Sequence, residues 1–151
     1  MDTMHSTQDT TELSVSQCWA LLRDSVVGRV AVVRGDRPEI FPVNFVVDHG
    51  SVVFRTGSGT LFAATDGHPV AFEVDGYDTG DAMAWSVVVH GMGREVVGVD
   101  ATLDAMELPL APWHDAPKPR FVRIEPLALT GRRFHVRGGH REPRRSEDLR
   151  P

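Results

Sequence analysis

Residues 28–60 read "GRVAVVRGDRPEIFPVNFVVDHGSVVFRTGSGT", and this stretch decides the architecture. Three valine-rich runs, 28–33, 39–47 and 51–56, are joined by "RGDRP" (34–38) and "DHG" (48–50). Parallel strands need a long crossover, whereas links this short join antiparallel neighbours. The stretch therefore predicts a three-stranded antiparallel meander. Pro42 stands inside the second run. Proline donates no ladder hydrogen bond, so it predicts an edge, a bulge or a ligand-facing break.

The third run leaves through Arg55 into "TGSGT" (56–60). Two readings are open. Glycine and serine are ordinary turn residues. The alternative is a phosphate seat. There Arg55 would give a charge-assisted clamp, Thr56, Ser58 and Thr60 would give hydroxyls, and a helix starting near Gly59 would present free N–H groups.

Working outward, "SVSQCWALLRD" (14–24) predicts an amphipathic helix over about 15–23. Val15, Cys18, Trp19 and Leu22 recur at helical spacing, with Ser14 or Ser16 as cap. Downstream, "GTLFAATDG" predicts a short helix over about 59–66, and "PVAFEVDGYD" (69–78) a fourth strand. "AMAWSVVVHGMGREVV" (82–97) reads as a long strand bent at its two glycines. "DATLDAMEL" (100–108) predicts a helix capped by Asp100, and "APWHDAPKP" (111–119) a proline-rich loop. "RFVRIEP" and "LALTGRRFHV" (120–136) close the fold as one or two strands. Many strands on short links, with helices outside, predict a mainly β protein built on a small barrel. The expected organisation is a flexible segment 1–12, one domain over 13–136, and a flexible polar tail over 137–151.

Composition narrows the function. The 151 residues carry 16 basic and 21 acidic side chains, of which 7 and 3 lie in residues 132–151. The first 131 residues thus hold 9 basic against 18 acidic, an acidic body that argues against nucleic-acid binding. The tail "RGGHREPRRSEDLRP" is read as solvated, with contact to an anion as the alternative. No apolar run nears the ~20 residues of a membrane helix. The N-terminus lacks the pattern of a signal peptide, and the single cysteine forms no internal disulfide, so a cytoplasmic location is expected. The seven histidines are scattered without ligand spacing, so no metal site is expected. Cys18 reads as core, Ser86 lacks a nucleophile elbow, and "GSG" is neither a Walker A nor a dinucleotide fingerprint.

The order of these stretches resembles the FMN-binding split-barrel family related to pyridoxamine 5′-phosphate oxidase, in its small actinobacterial-type branch. The resemblance is carried by "GRVAVV", "PEIFPVNFVVDHGSVVFRTGSGT", "HPVAFEVD", "AWSVVVHGMGREV" and "RFVRIEPLALTGRRF", in that order. It implies a six-stranded antiparallel split β-barrel with flanking helices, working as a homodimer with FMN in clefts between the subunits. It also implies that Pro42, Val43 and Asn44 line the flavin ring. Arg55, Thr56, Ser58, Gly59 and Thr60 would hold the phosphate, and Trp85 and Ser86 would face the cleft. Relatives often carry lysine after the glycine–threonine pair, where this chain has Leu61, so a phosphate-side cation is missing. Some relatives bind a deazaflavin coenzyme or haem instead. The resemblance thus implies a flavin-dependent oxidoreductase of a small-molecule substrate, or else a non-enzymatic carrier, sensor or stress-related dimer. Trp85 as a plain core aromatic and Asn44 as a turn residue remain open beside these roles.

Overall fold

A computed structural model describes residues 10–110 and 120–137. Its elements in chain order are β1 (Thr10–Glu12), α1 (Val15–Arg23), β2 (Val27–Arg34), β3 (Arg37–Asp48), β4 (Ser51–Thr56), α2 (Thr60–Thr65), β5 (Pro69–Asp78), β6 (Met83–Glu95), α3 (Val99–Met106) and β7 (Arg120–His135). The expected proline-rich loop and most of the tail lie outside the described residues.

The meander forms as the short links require. β2 and β3 pair down to Arg34 opposite Arg37, so the first link is a two-residue turn, tighter than the five residues expected. β3 and β4 pair from Phe45–Phe54 to Asp48–Ser51. Their link, His49–Gly50, has positive φ at both residues (48° and 68°), as the hairpin turn matched to strand twist demands. The sheet then runs β7–β4–β3–β2–β5–β6, and β6 pairs back onto β7. Six antiparallel strands thus close a split barrel, and the fold is mainly β.

The seventh strand, β1, was not expected. Thr10–Glu12 lies in the polar segment read as flexible, yet it pairs with Arg132–Phe134 of β7. Its side chains are exposed, so backbone hydrogen bonds hold it and no apolar pattern announces it. The next residue, Leu13, is buried and donates its N–H to the Gly131 carbonyl at 2.9 Å.

α1 begins with a capping box. Ser14 Oγ accepts the Gln17 N–H at 3.1 Å, and Gln17 Oε1 accepts the Ser14 N–H at 2.8 Å. Cys18 and Leu22 are buried, as the helical spacing predicts, whereas Val15 points to solvent. The cap position of α3 is Gly98, not Asp100, with no side-chain cap; Asp100 sits in the first turn. β7 is a single strand with an irregularity. The register steps from Gly91–Pro126 to His90–Ala128, leaving Leu127 extra as a bulge in β7 opposite the His90–Gly91 step of β6.

Side chains alternate along each strand. Val30, Val32, Val43, Phe45, Val52, Phe54, Val70, Phe72, Val87, Val89, Val122 and Ile124 fill the barrel. Phe45 and Phe72 meet edge to face, with centroids 4.8 Å apart. Each such side chain contributes about 1.5–3 kcal/mol on burial. A smaller cluster of Val53, Ala105, Leu110 and Phe121 joins the outer face of β4 and β7 to α3.

Candidate functional site

The proposed phosphate residues follow one another at the end of β4, but only Ser58, Gly59 and Thr60 line a common cavity; Arg55 and Thr56 do not. Arg55 and Thr56 are successive strand residues, so they point to opposite faces. Thr56 is buried. The Arg55 guanidinium lies 4.9 Å from the centroid of Phe121, on the α3 side of the sheet. Beyond them, Ser58, Gly59 and Thr60 are exposed and lead into α2. α2 has only six residues, and Gly59 caps it without a side-chain hydrogen bond, so its dipole adds little. The loop opens on a cavity of about 540 Å³ that Arg34 and His68 also line. A Cβ built at Gly59 would meet nothing within 4 Å, so the loop backbone faces open space.

A cation stands at this loop that sequence reasoning missed. β4 pairs with β7 so that Thr56 lies opposite Arg120. Arg120 Nε donates to Ser58 Oγ at 3.0 Å, and Nη1 to Glu95 Oε1 at 2.7 Å. Its guanidinium lies over Phe62 of α2, 4.4 Å from the ring centroid. Arg120 thus touches the loop from a strand 60 residues after Thr60 in the sequence, although it does not itself line the cavity. Leu61 itself packs against the barrel core. No local signal in "KPRFVRIEP" could have placed Arg120 here, because the pairing of two distant strands decides it.

The ring-side residues lie elsewhere on the chain. Pro42 and Asn44 face outward from β3, whereas Val43 is buried in the barrel and pairs with Gly28 of β2. Pro42 pairs with Arg29 of β2, while the β4 ladder reaches only to Phe45. It therefore sits in a part of β3 paired on one side, and the missing N–H finds its explanation there. Arg29 in turn pairs with Glu73. Its Nη1 lies 3.6 Å from Glu73 Oε1 and 3.5 Å from Asp75 Oδ2. Burial, then the neighbouring Asp75, push the Glu73 carboxyl above the usual range, and Arg29 offsets part of this.

Trp85 and Ser86 border a third region, a cavity of about 400 Å³ shared with Asp75, Tyr77 and Phe134. Trp85 packs against the barrel core and lies across Gly76, where a Cβ would collide with the indole. It is both a core aromatic and a cavity wall. Within one chain, then, the Ser58–Thr60 loop and Trp85 border separate cavities. Among the described residues no group of three or more His, Cys, Asp or Glu is arranged for a metal.

A split barrel with a hydroxyl-rich loop at the end of its fourth strand defines the class of protein. The family model described as pyridoxamine 5′-phosphate oxidase matches residues 14–133, and the chain belongs to that family. It is 34% identical over 135 residues to the uncharacterized protein Rv0080 of Mycobacterium tuberculosis, covering 85% of this chain and 88% of that one. Among solved structures it is similar to a FAD-binding protein from Mycobacterium smegmatis. The identity is 37%, the TM-score 0.73, and the match covers 83% of this chain and 99% of that one. A conserved protein of unknown function from Corynebacterium diphtheriae is 36% identical, with a TM-score of 0.72 over 83% of this chain and 98% of its own. Among the described residues no helix is long and apolar enough to cross a membrane.

Proposed function

We propose that this protein binds FMN in clefts between the two subunits of a homodimer and serves as a flavin-dependent oxidoreductase of a small-molecule substrate. The observation that carries the reading is the Ser58–Gly59–Thr60 loop, which offers hydroxyls and open backbone to a cavity that Arg34 and His68 also line. That donor set suits a phosphate monoester, and the cavity falls within the range of cofactor sites. Arg55, Thr56, Ser58, Gly59 and Thr60 hold the phosphate end, while Pro42, Val43 and Asn44 line the ring. When bound, the flavin supplies the redox chemistry, and the protein binds and orients it.

The homodimer is supported by the outer face of β2 and β3. Val33 and Ile40 are 65% and 66% exposed there, and Val27 also lies open beside Asn44. An apolar stripe on one sheet face favours a partner, and two-fold dimers are the commonest assembly. A second copy on this face would bring its own Trp85 and Ser86 toward the cleft.

A second reading, FAD in place of FMN, is favoured by the 37% identity to a mycobacterial protein described as FAD-binding. Thermal unfolding with FMN, FAD, riboflavin, a deazaflavin coenzyme and haem decides among them, because a ligand of the native state raises the melting temperature. The expected result is a rise with FMN that exceeds the rise with riboflavin. A larger rise with FAD selects the second reading. No rise with any flavin overturns the proposal.

A further inference from the structure

Arg120 has an arrangement that a solvated strand end does not need. Its guanidinium is held at three points: the Ser58 hydroxyl, the Glu95 carboxylate and the face of Phe62. Stacking on a ring fixes the plane of the group and leaves its N–H edge to face polar partners. The contacts to Ser58 and Glu95 use two of its five N–H donors. The Glu95 backbone is anchored, since its N–H donates to Asp66 Oδ1 at 2.8 Å, just past the end of α2. The loop that Arg120 touches is the one that opens on the cavity.

We propose that Arg120 is a phosphate-binding residue of the flavin site, and that Glu95 is a built-in competitor for its charge. This rests on the flavin reading above and adds a residue and a tuning device to it. Without ligand, Glu95 keeps the guanidinium paired and the Ser58 loop in place. A phosphate arriving at Ser58 accepts from the remaining donors of the same guanidinium, whose charge Glu95 already partly neutralises. Affinity is then a difference between two anions competing for one cation. Removing the cation weakens binding, and removing the resident anion strengthens it.

The test is the dissociation constant for FMN and for riboflavin in wild type, Arg120→Ala, Arg120→Lys, Glu95→Gln and Arg55→Ala, each shown folded by ligand-free thermal unfolding. Arg120→Ala should lower FMN affinity about ten- to a hundredfold, the usual effect of losing a charge-assisted contact, and move riboflavin less than about twofold. Arg120→Lys should fall between. Glu95→Gln should tighten FMN several-fold and leave riboflavin alone. The salt dependence of FMN affinity should flatten in Arg120→Ala, since one ionic contact is gone. Equal losses for both ligands would mean that Arg120 only props the loop, and an unchanged FMN constant would overturn the assignment outright. Failure here is separable from failure of the flavin reading. A wild type with no preference for FMN over riboflavin overturns both. A wild type that prefers FMN, weakened by Arg55→Ala but not by Arg120→Ala, overturns only this inference.

Discussion

Gly93 lies against the Thr65 carbonyl with no space between them for a Cβ. This close approach docks the end of α2 on β6: Gly67 N–H donates to the Gly93 carbonyl at 2.8 Å, and Gly93 N–H to the His68 carbonyl at 3.0 Å. Gly93→Ala should therefore cost about 1–3 kcal/mol, because backbone must move to admit the methyl. The urea midpoint measures it. Gly59→Ala is the control: its φ is −86° and nothing crowds it, so its stability should stay within about 0.5 kcal/mol of wild type. Equal effects would show that α2 is not held through Gly93.

Arg55→Ala tests the phosphate clamp read from the sequence. Loss of a charge-assisted contact of roughly 1.5–3 kcal/mol should lower FMN affinity about ten- to a hundredfold. Riboflavin shares the ring and ribityl chain but has no phosphate, so its constant should hardly move. Unchanged FMN affinity, or equal losses for both ligands, would overturn the phosphate clamp.

The outer face of β2 and β3 predicts a dimer that a single charge can break. Ile40→Lys places an ammonium on the apolar stripe, twice per two-fold interface. Wild type should sediment as a dimer at micromolar concentration and the variant as a folded monomer with FMN binding lost. A variant that stays dimeric would put the interface elsewhere.

Acid stability should depend on Asp48. Burial alone would raise its pKa, but hydrogen bonds from Arg123 (2.9 Å) and His49, with their charges, outweigh burial and hold it below the usual range. A depressed folded pKa stabilises the protein above the unfolded value of about 3.9 and loses that stabilisation as pH falls through the folded value. Asp48→Asn should cost about 1–2 kcal/mol near neutrality. The two unfolding curves should converge below about pH 4. A constant gap across that range would show that the contact is not electrostatic.

Glu73 should behave in the opposite sense. Its folded pKa is raised, so the fold favours the protonated carboxyl and loses stability as pH rises through that value. Glu73→Gln mimics the protonated form. It should stabilise the protein at neutral pH, with the gain vanishing below about pH 4, the unfolded range of glutamate. Chemical denaturation at pH 4 and pH 7 compares them; a destabilised variant at pH 7 would show that the pairing with Arg29 outweighs burial and Asp75.

The meander, the capped first helix, the fourth strand and the barrel were legible in the residues themselves. Their causes are local: alternating valines fix which face is buried, and "DHG" permits only a hairpin turn. Ser14 stands just before the helical run, where a cap is needed; that Gln17 completes the capping box was seen only in the structure. The loop after Arg55 was legible too, because its hydroxyls and glycines are contiguous. Tertiary structure alone decided the rest. β1 joins the sheet through backbone hydrogen bonds that no side-chain pattern encodes. The Leu127 bulge follows from how β6 and β7 align. Arg120 reaches Ser58 only because Thr56 pairs with a residue 64 positions later. Long-range register depends on how the whole barrel closes, and a linear pattern of residue types carries no record of it.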